Sequence, residues 1–352
     1  MSASESASTA GLRVGFLGAG LIATYHSKSM RRFVSDIRVP LVRAGVYDPD
    51  SDRSRAFAAA SGHRAMKTEE GVINGCDVVY VCTWTSEHPR LVAMAAAAGK
   101  AVFCEKPLAT NLADAIEMER IVRAAGVVNQ VGLVLRHSPV FNLARELVHA
   151  PEAGRVMSVV FRDDQFIPVQ GHYESNWRAD VEKAGAGTLL EHSIHDLDLL
   201  EFVIGPIRAV RGTTANFHGL PGIEDVATAQ LEFGSGAVGS LSSVWHDNLA
   251  RPSLRRIEII CERRLVTVEG DWDGPIRWQD ADGHDENLSG DAVIKAATPI
   301  VEAGFNPDVA FLQAVQRGEF AYPDMAVAVR AQRIADAIYR SAENDGATVS
   351  IS

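Results

Sequence analysis

The sequence predicts an α/β domain built on a doubly wound parallel sheet, followed by an α+β domain whose larger sheet is open and mostly antiparallel. Two patterns predict this. Up to residue 136, short apolar runs alternate with helical stretches of the length that parallel crossovers need. Beyond residue 136, longer alternating runs follow one another with only turns between them, the mark of antiparallel pairing. With 352 residues, 47% of them apolar, the chain holds enough material for two such units.

Taken in order, residues 1–10 are rich in Ser and Ala, carry Glu5 and no basic residue, and read as a loose tail rather than a secretory signal. Leu12 to Leu17 is a short apolar strand that runs into Gly18-Ala19-Gly20 and a helix from Leu21. Leu41 to Tyr47 is a second strand, ending in Asp48-Pro49, with a helix from Ser54 to Ser61 after it. Val78 to Thr83 is a third strand, Pro89 to Ala98 a helix, and Ala101 to Cys104 a fourth strand that ends at Glu105-Lys106-Pro107. A helix over Asn111 to Ala125 and a strand over Val127 to Leu135 complete residues 11–136.

Residues 137–352 offer strands at Val156–Phe166, Ile207–Phe217, Val226–Phe233, Ala237–Trp245, Arg256–Cys261 and Arg264–Glu269. One helix spans Thr188 to Val203, and a last helix, Asp324 to Glu343, is expected to pack back on the first domain.

The formal charge of −11, with no large basic block, argues against nucleic-acid phosphates or an anionic membrane as partners. No apolar run approaches the roughly 20 residues of a membrane-spanning helix. The four cysteines, Cys76, Cys82, Cys104 and Cys261, form no C-x-x-C pair and read as reduced, mostly buried thiols of a cytoplasmic protein. The expected partner is a small molecule.

The turn Gly18-Ala19-Gly20-Leu21-Ile22-Ala23 has the form G-x-G-x-x-A between a strand and a helix. Gly18 permits a tight turn, Gly20 lets the backbone approach a pyrophosphate, and small Ala23 lets helix and strand pack closely. Leu21 and Ile22 open the helix whose N-terminus favours the negative charge. Asp48, at the end of the second strand, is placed to accept hydrogen bonds from the adenosine ribose, beyond a basic extension from Arg31 to Arg43 that lengthens the usual spacing. A carboxylate there repels a 2′-phosphate, so a Rossmann domain binding NAD in preference to NADP is expected.

Two further segments carry reactive side chains. Lys106 follows the fourth strand, at the edge where open parallel sheets bind ligands, and a buried lysine beside a cation has a depressed pKa suited to proton transfer. Glu191 and His195 stand four apart, on one face of the expected helix, where the carboxylate would orient and tune the imidazole. His192, His195, Asp196 and Asp198 are clustered, but a helix splits them between faces and no cysteine joins them, so no metal is expected. Asp198 is expected to be structural.

In sequence order, Gly18-x-Gly20, Thr83-Trp84-Thr85-Ser86-Glu87-His88, Glu105-Lys106-Pro107 and Gly185-Ala186-Gly187 with Glu191 and His195 span nearly the whole chain. Together they resemble the glucose-fructose oxidoreductase, inositol dehydrogenase and rhizopine catabolism (Gfo/Idh/MocA) family. The resemblance implies that Lys106 holds a substrate hydroxyl and assists proton transfer, while Glu105 contacts the nicotinamide ribose. It also implies nicotinamide-side contacts at Thr83, Thr85 and His88, a Trp177-Arg178 pair near nicotinamide or substrate, and a homodimer or homotetramer joined through the open sheet face. Arg136 and His172 join Lys106, Glu191 and His195 as expected substrate contacts.

The chain departs from the commonest family form at Glu191 for Asp, Ser193 for Gly, Ala186 within the glycine run, and Trp84-Thr85 for Pro-Asn. Inositol therefore does not follow as substrate. The expected activity is interconversion of a secondary alcohol and a ketone on a sugar, cyclitol or related polyol; the alternatives are a dihydrodiol-type dehydrogenase and a catalytically silent NAD-binding regulator.

Overall fold

The computed structural model describes residues 11–32, 40–171, 173–301 and 304–351. The tail over residues 1–10 and residues 33–39 of the basic extension therefore lie outside the described residues.

The first sheet is parallel and six-stranded, in the order β3-β2-β1-β4-β5-β6. Its strands are β1 (Leu12–Leu17), β2 (Leu41–Tyr47), β3 (Arg64–Ala65), β4 (Val78–Val81), β5 (Ala101–Cys104) and β6 (Asn129–Val131). Every side chain of β4 and β5 is buried, which is why these strands read as unbroken apolar runs. The crossovers contain α1 (Leu21–Arg32), α2 (Ser51–Ser61), α3 (Glu69–Gly75), α4 (His88–Ala97) and α5 (Leu112–Ala125). Local signals set their ends: Asn111 caps α5 by accepting from the Asp114 N–H, and Gly126 closes it in the left-handed region at φ 65°. The strand expected over Val127 to Leu135 is only three residues long. Leu133 N–H turns back to Val131 O at 2.7 Å, and a 3₁₀ turn, Val134–His137, follows.

The second sheet has nine strands, ordered β14-β13-β12-β11-β7-β10-β9-β8-β15, with β7 and β10 as its parallel pair. After α6 (Pro139–His149) comes β7 (Val156–Phe166), then the short helices α7 (Val181–Ala184) and α8 (Thr188–Glu191), and α9 (Ile194–Val203). The remaining strands are β8 (Ile207–Ala215), β9 (Val226–Phe233), β10 (Val238–His246), β11 (Leu254–Cys261), β12 (Arg264–Glu269), β13 (Ile276–Asp280), β14 (Asp285–Leu288) and β15 (Val349–Ser350). One face packs Val159, Phe161, Leu231, Leu241 and Ile259 against the apolar sides of α6 and α9. The other leaves Met157, Val160, Val238 and Ile260 exposed.

The single helix expected from Thr188 to Val203 is broken into α8 and α9. Ser193 N–H reaches back to Thr188 O at 2.8 Å, and the Thr188 and Ser193 hydroxyls both meet Ser243 Oγ on β10, at 2.8 and 2.6 Å. These polar anchors hold the chain to the sheet more strongly than continued helical pairing would.

Three helices follow the second sheet's core strands: α10 (Asp291–Ala297), α11 (Pro307–Arg317) and α12 (Met325–Glu343). Val309, Phe311 and Leu312 of α11 pack with Phe16, Tyr80 and Phe103 of the first domain. Met325, Ala328 and Val329 of α12 join Met118, Val122 and Leu133 there, whereas Ile334, Ala335 and Ile338 of the same helix join the second core. The two sheets divide near residue 136, but the first core is completed by residues from the C-terminal end. All four cysteines are free and buried. No described helix is long and apolar enough to cross a membrane.

Candidate active site

β1 and β4 are adjacent, and the helices after them lie on opposite sides of the sheet, so ligand binding is expected in the crevice at the carboxyl ends of these strands. Gly18 occupies the first turn at φ +90°, and a Cβ there would stand 2.4 Å from Cys82 O. Only glycine fits. A Cβ on Gly20 would meet nothing within 4 Å, so the space before the turn is open, and Ala23 is fully buried behind it. Leu21 and Ile22 are exposed at the start of α1, whose first turn carries no acidic residue. Asp48 is buried, its Oδ2 accepting from Ala19 N–H and its Oδ1 from Asp50 N–H, both at 2.9 Å. The α2 cap is Asp50 instead.

Free helix N–H groups, an open glycine turn and a carboxylate at the end of β2 fit a dinucleotide whose adenosine ribose lies at Asp48. Asp48→Ser is expected to raise the kcat/KM ratio of NADP over NAD by at least about fivefold, since like charges near a protein surface repel by about 1 to 4 kcal/mol at contact. Arg53, 3.5 Å from Asp48, would then be freed to meet the 2′-phosphate. Steady-state kinetics with both cofactors checks this, and an unchanged ratio removes Asp48 from cofactor selection.

Thr85 is buried, and its hydroxyl has no hydrogen-bond partner among the described residues. Thr83 Oγ1 donates to Trp84 O at 3.3 Å. His88 is buried, with Nδ1 2.9 Å from Pro107 O and Nε2 3.3 Å from Thr83 O, and so ties the turn after β4 to the turn after β5. Burial lowers its pKa against the pull of those carbonyls.

Glu105 is likewise turned inward. Its Oε1 lies 2.8 Å from His26 Nε2, and its Oε2 accepts from Lys106 N–H at 3.2 Å. Gly132 permits this internal pairing: a Cβ there would stand 2.7 Å from both carboxylate oxygens.

Lys106, before a cis Pro107, reaches the second domain. Its Nζ donates to Glu191 O at 2.5 Å and lies 3.6 Å from Glu191 Oε1. Arg178 Nε donates to that same Oε1 at 2.6 Å, with its guanidinium 4.6 Å above the Trp177 ring. Lys106, Glu191, Trp177 and Arg178 therefore meet. Glu191 is fully enclosed; burial would raise its pKa, but Arg178 and Lys106 outweigh this and hold it low.

Glu191 does not orient His195 as a continuous helix would have it, because α8 ends at Glu191 and α9 carries His195. His195 Nδ1 is buried without a partner. Burial first, then Lys106 and Arg255, push the imidazole pKa well below its usual value, so the ring is neutral at neutral pH. Beneath it, Arg255 binds Asp163 and Asp196, each at 2.7 Å, and also Asp271; His192 Nε2 lies 2.8 Å from Asp163.

Arg136 is held by Asp198, which accepts from its Nε and Nη2 at 2.9 and 2.6 Å, and by the Tyr322 hydroxyl. It pins the 3₁₀ turn to α9. His172 lies outside the described residues. Among the described residues no group of three His, Cys, Asp or Glu side chains could hold a metal ion.

The glycine run builds the junction. A Cβ on Gly185 would stand 2.6 Å from Thr110 Cα, and one on Gly187 only 1.8 Å from Glu224 O. Glu224 meanwhile accepts from the N–H groups of Gly187 and Leu189. Gly187→Ala is expected to cost about 3 kcal/mol, at the top of the usual overpacking range because the obstacle is backbone. Urea denaturation measures this, and a loss below about 1 kcal/mol would show that the segment relaxes. A cleft of about 530 Å³ lined by Thr110, Ala186, Leu190 and Glu224 shares this run but contains none of Lys106, Glu191 and His195.

Sequence reading missed His26, Asp163, Arg255 and Asp308. The available signals were charged residues within otherwise apolar elements, Asp163-Asp164 at the end of β7 above all.

The fold and this site define a nicotinamide-nucleotide oxidoreductase of two domains. Residues 12–133 match the oxidoreductase family with an NAD-binding Rossmann fold, and residues 141–267 the GFO/IDH/MocA C-terminal domain. The chain belongs to the Gfo/Idh/MocA oxidoreductase family. It is 30% identical over 241 residues to scyllo-inositol 2-dehydrogenase (NAD(+)) of Bacillus subtilis (strain 168), covering 66% of this chain and 67% of that protein. It is 31% identical over 207 residues to 1,5-anhydro-D-fructose reductase of Ensifer adhaerens, covering 57% of this chain and 61% of that one. The structure of levoglucosan dehydrogenase in complex with NADH and levoglucosan shares the fold, with a TM-score of 0.86 at 20% identity over 97% of this chain and 99% of that one.

Proposed function

We propose that this chain interconverts a secondary alcohol and a ketone on a sugar, cyclitol or related polyol, using NAD. The observation that carries this reading is the meeting of Lys106 with Glu191 and Arg178, beside a neutral His195, at the carboxyl edge of the parallel sheet. Bound NAD supplies the hydride acceptor for alcohol oxidation, or NADH the donor for the reverse.

The chain's own groups manage the proton. A neutral His195 offers a lone pair to the hydroxyl proton, and the Lys106 ammonium beside it favours the alkoxide that develops. Glu191 fixes Lys106 and Arg178 in place rather than acting on His195. Arg178 and Arg255 are each already committed to carboxylates, which favours an uncharged polyol over a sugar acid. The exposed apolar residues Met157, Val160, Val238 and Ile260 on the second sheet support association with a second copy through that face.

The test is to follow the near-ultraviolet absorbance of reduced nicotinamide while native protein and NAD meet a panel of sugars, cyclitols and sugar acids. Turnover with neutral polyols is expected. Tight NAD binding without turnover of any panel member would overturn the reading.

A further inference from the structure

A buried charge network behind the Lys106 turn has no part in the mechanism above. His26, on α1, places Nδ1 2.7 Å from Asp308 Oδ1 and Nε2 2.8 Å from Glu105 Oε1. Asp308 belongs to α11, so three separated stretches of sequence meet here. His26 and Asp308 are essentially inaccessible and Glu105 nearly so. Their other neighbours are Tyr80, Cys82, Cys104, Phe103 and the backbone of Lys106.

The charge of the network follows from its protons. Burial alone would lower the His26 pKa, but Asp308 and Glu105 reverse this and hold it at about 10. An imidazolium between two carboxylates carries one net negative charge. The sum is the same if the proton shifts from the ring to either carboxylate, because the proton count has not changed. The surroundings register that charge: the Cys82 and Cys104 thiols are pushed well above their usual pKa, by burial first and then by Glu105. Among the described residues, His26 is the cation paired with both carboxylates.

The location gives the charge a use. With the adenosine half of a dinucleotide at the end of β2, the nicotinamide half falls beyond β4 and β5, where Glu105 ends its strand. Oxidised nicotinamide is a cation and reduced nicotinamide is neutral. We propose that the Asp308–His26–Glu105 network is a redox-state selector, whose buried net negative charge strengthens binding of NAD⁺ relative to NADH. The inference rests on the reading that the chain binds NAD. The three residues act through their charge, as positioning residues, without touching the substrate.

The test measures binding rather than turnover. NADH is titrated by its fluorescence, and NAD⁺ by displacement, on the native protein and on Asp308→Asn, Glu105→Gln and Asp77→Asn. Asp77 is the control, a carboxylate paired with Arg13 at the amino-terminal end of β4, on the opposite edge of the sheet. At pH 6, where the remaining carboxylate keeps His26 protonated, Asp308→Asn and Glu105→Gln each remove one negative charge and should raise the ratio Kd(NAD⁺)/Kd(NADH) about tenfold, the equivalent of about 1.4 kcal/mol of lost attraction. Asp77→Asn should leave the ratio unchanged. Glu105→Gln carries the test if Asp308→Asn does not fold. An unchanged ratio in a folded variant that binds both forms overturns the selector alone, as does an equal rise in Asp77→Asn. A native protein that binds neither form overturns the NAD reading, and the selector with it.

Discussion

Lys106→Ala is expected to lower kcat about a thousandfold, at the top of the range that loss of one donor to a developing oxyanion costs. The fold should survive, because the ammonium's partners are Glu191 O and, at longer range, Glu191 Oε1, while Arg178 still holds the Glu191 carboxylate. Thermal unfolding should therefore remain near native. The substitution has a second signature. Lys106 is one of the charges that depress His195, so its removal should raise the imidazole pKa and move the residual activity's pH dependence upward. A kcat within a few-fold of native, with the protein folded, would take Lys106 out of the chemistry.

Arg255→Leu is expected to destabilise the protein by about 3 to 5 kcal/mol, the usual cost of removing one partner from a buried ion pair. Arg255 is 5% exposed, and the Asp163 and Asp196 carboxylates that it joins are 1% and 0% exposed. Burial and the neighbouring Asp163 already push Asp196 above the usual carboxylate range, whereas Arg255 and His192 hold Asp163 low. Without the guanidinium, Asp196 loses its cation and Asp163 keeps only His192, in a medium that solvates neither carboxylate. The loss should shrink as pH falls, because protonation removes the unpaired charge. Urea denaturation at neutral and mildly acid pH checks both statements; a loss of under about 1 kcal/mol at neutral pH would show that water reaches the pair.

Most of the first domain was legible in the sequence because its determinants are local. An apolar run buried on both faces, a glycine turn and a capping Asn each act within a few residues, and β1, β2 and β5 fall where the pattern placed them. Lys106 was legible at the end of β5, whereas Glu191 was expected inside a continuous helix, so its meeting with Lys106 was not written in the pattern.

What stayed hidden depends on contacts distant in sequence. The break between α8 and α9 is set by Ser243 on β10, some 50 residues beyond Ser193, and no helical period reports it. Glu105 turns inward because His26 and Asp308 await it from α1 and α11. His88 and Arg136 carry the residue types of a ligand site, yet Pro107 O and Asp198 claim them. A side chain's chemistry is written in the sequence, but its partner is a property of the fold.

Transfer of deuterium tests the hydride reaction most directly. Native protein is incubated with NAD and a neutral polyol deuterated at its secondary-alcohol carbons, and the reduced nicotinamide is analysed by mass spectrometry. One deuterium on the nicotinamide ring is expected for each ketone formed, and none with Lys106→Ala over the same time. Ketone formed without label on the nicotinamide, or no label with any polyol although NAD binds, would contradict hydride transfer.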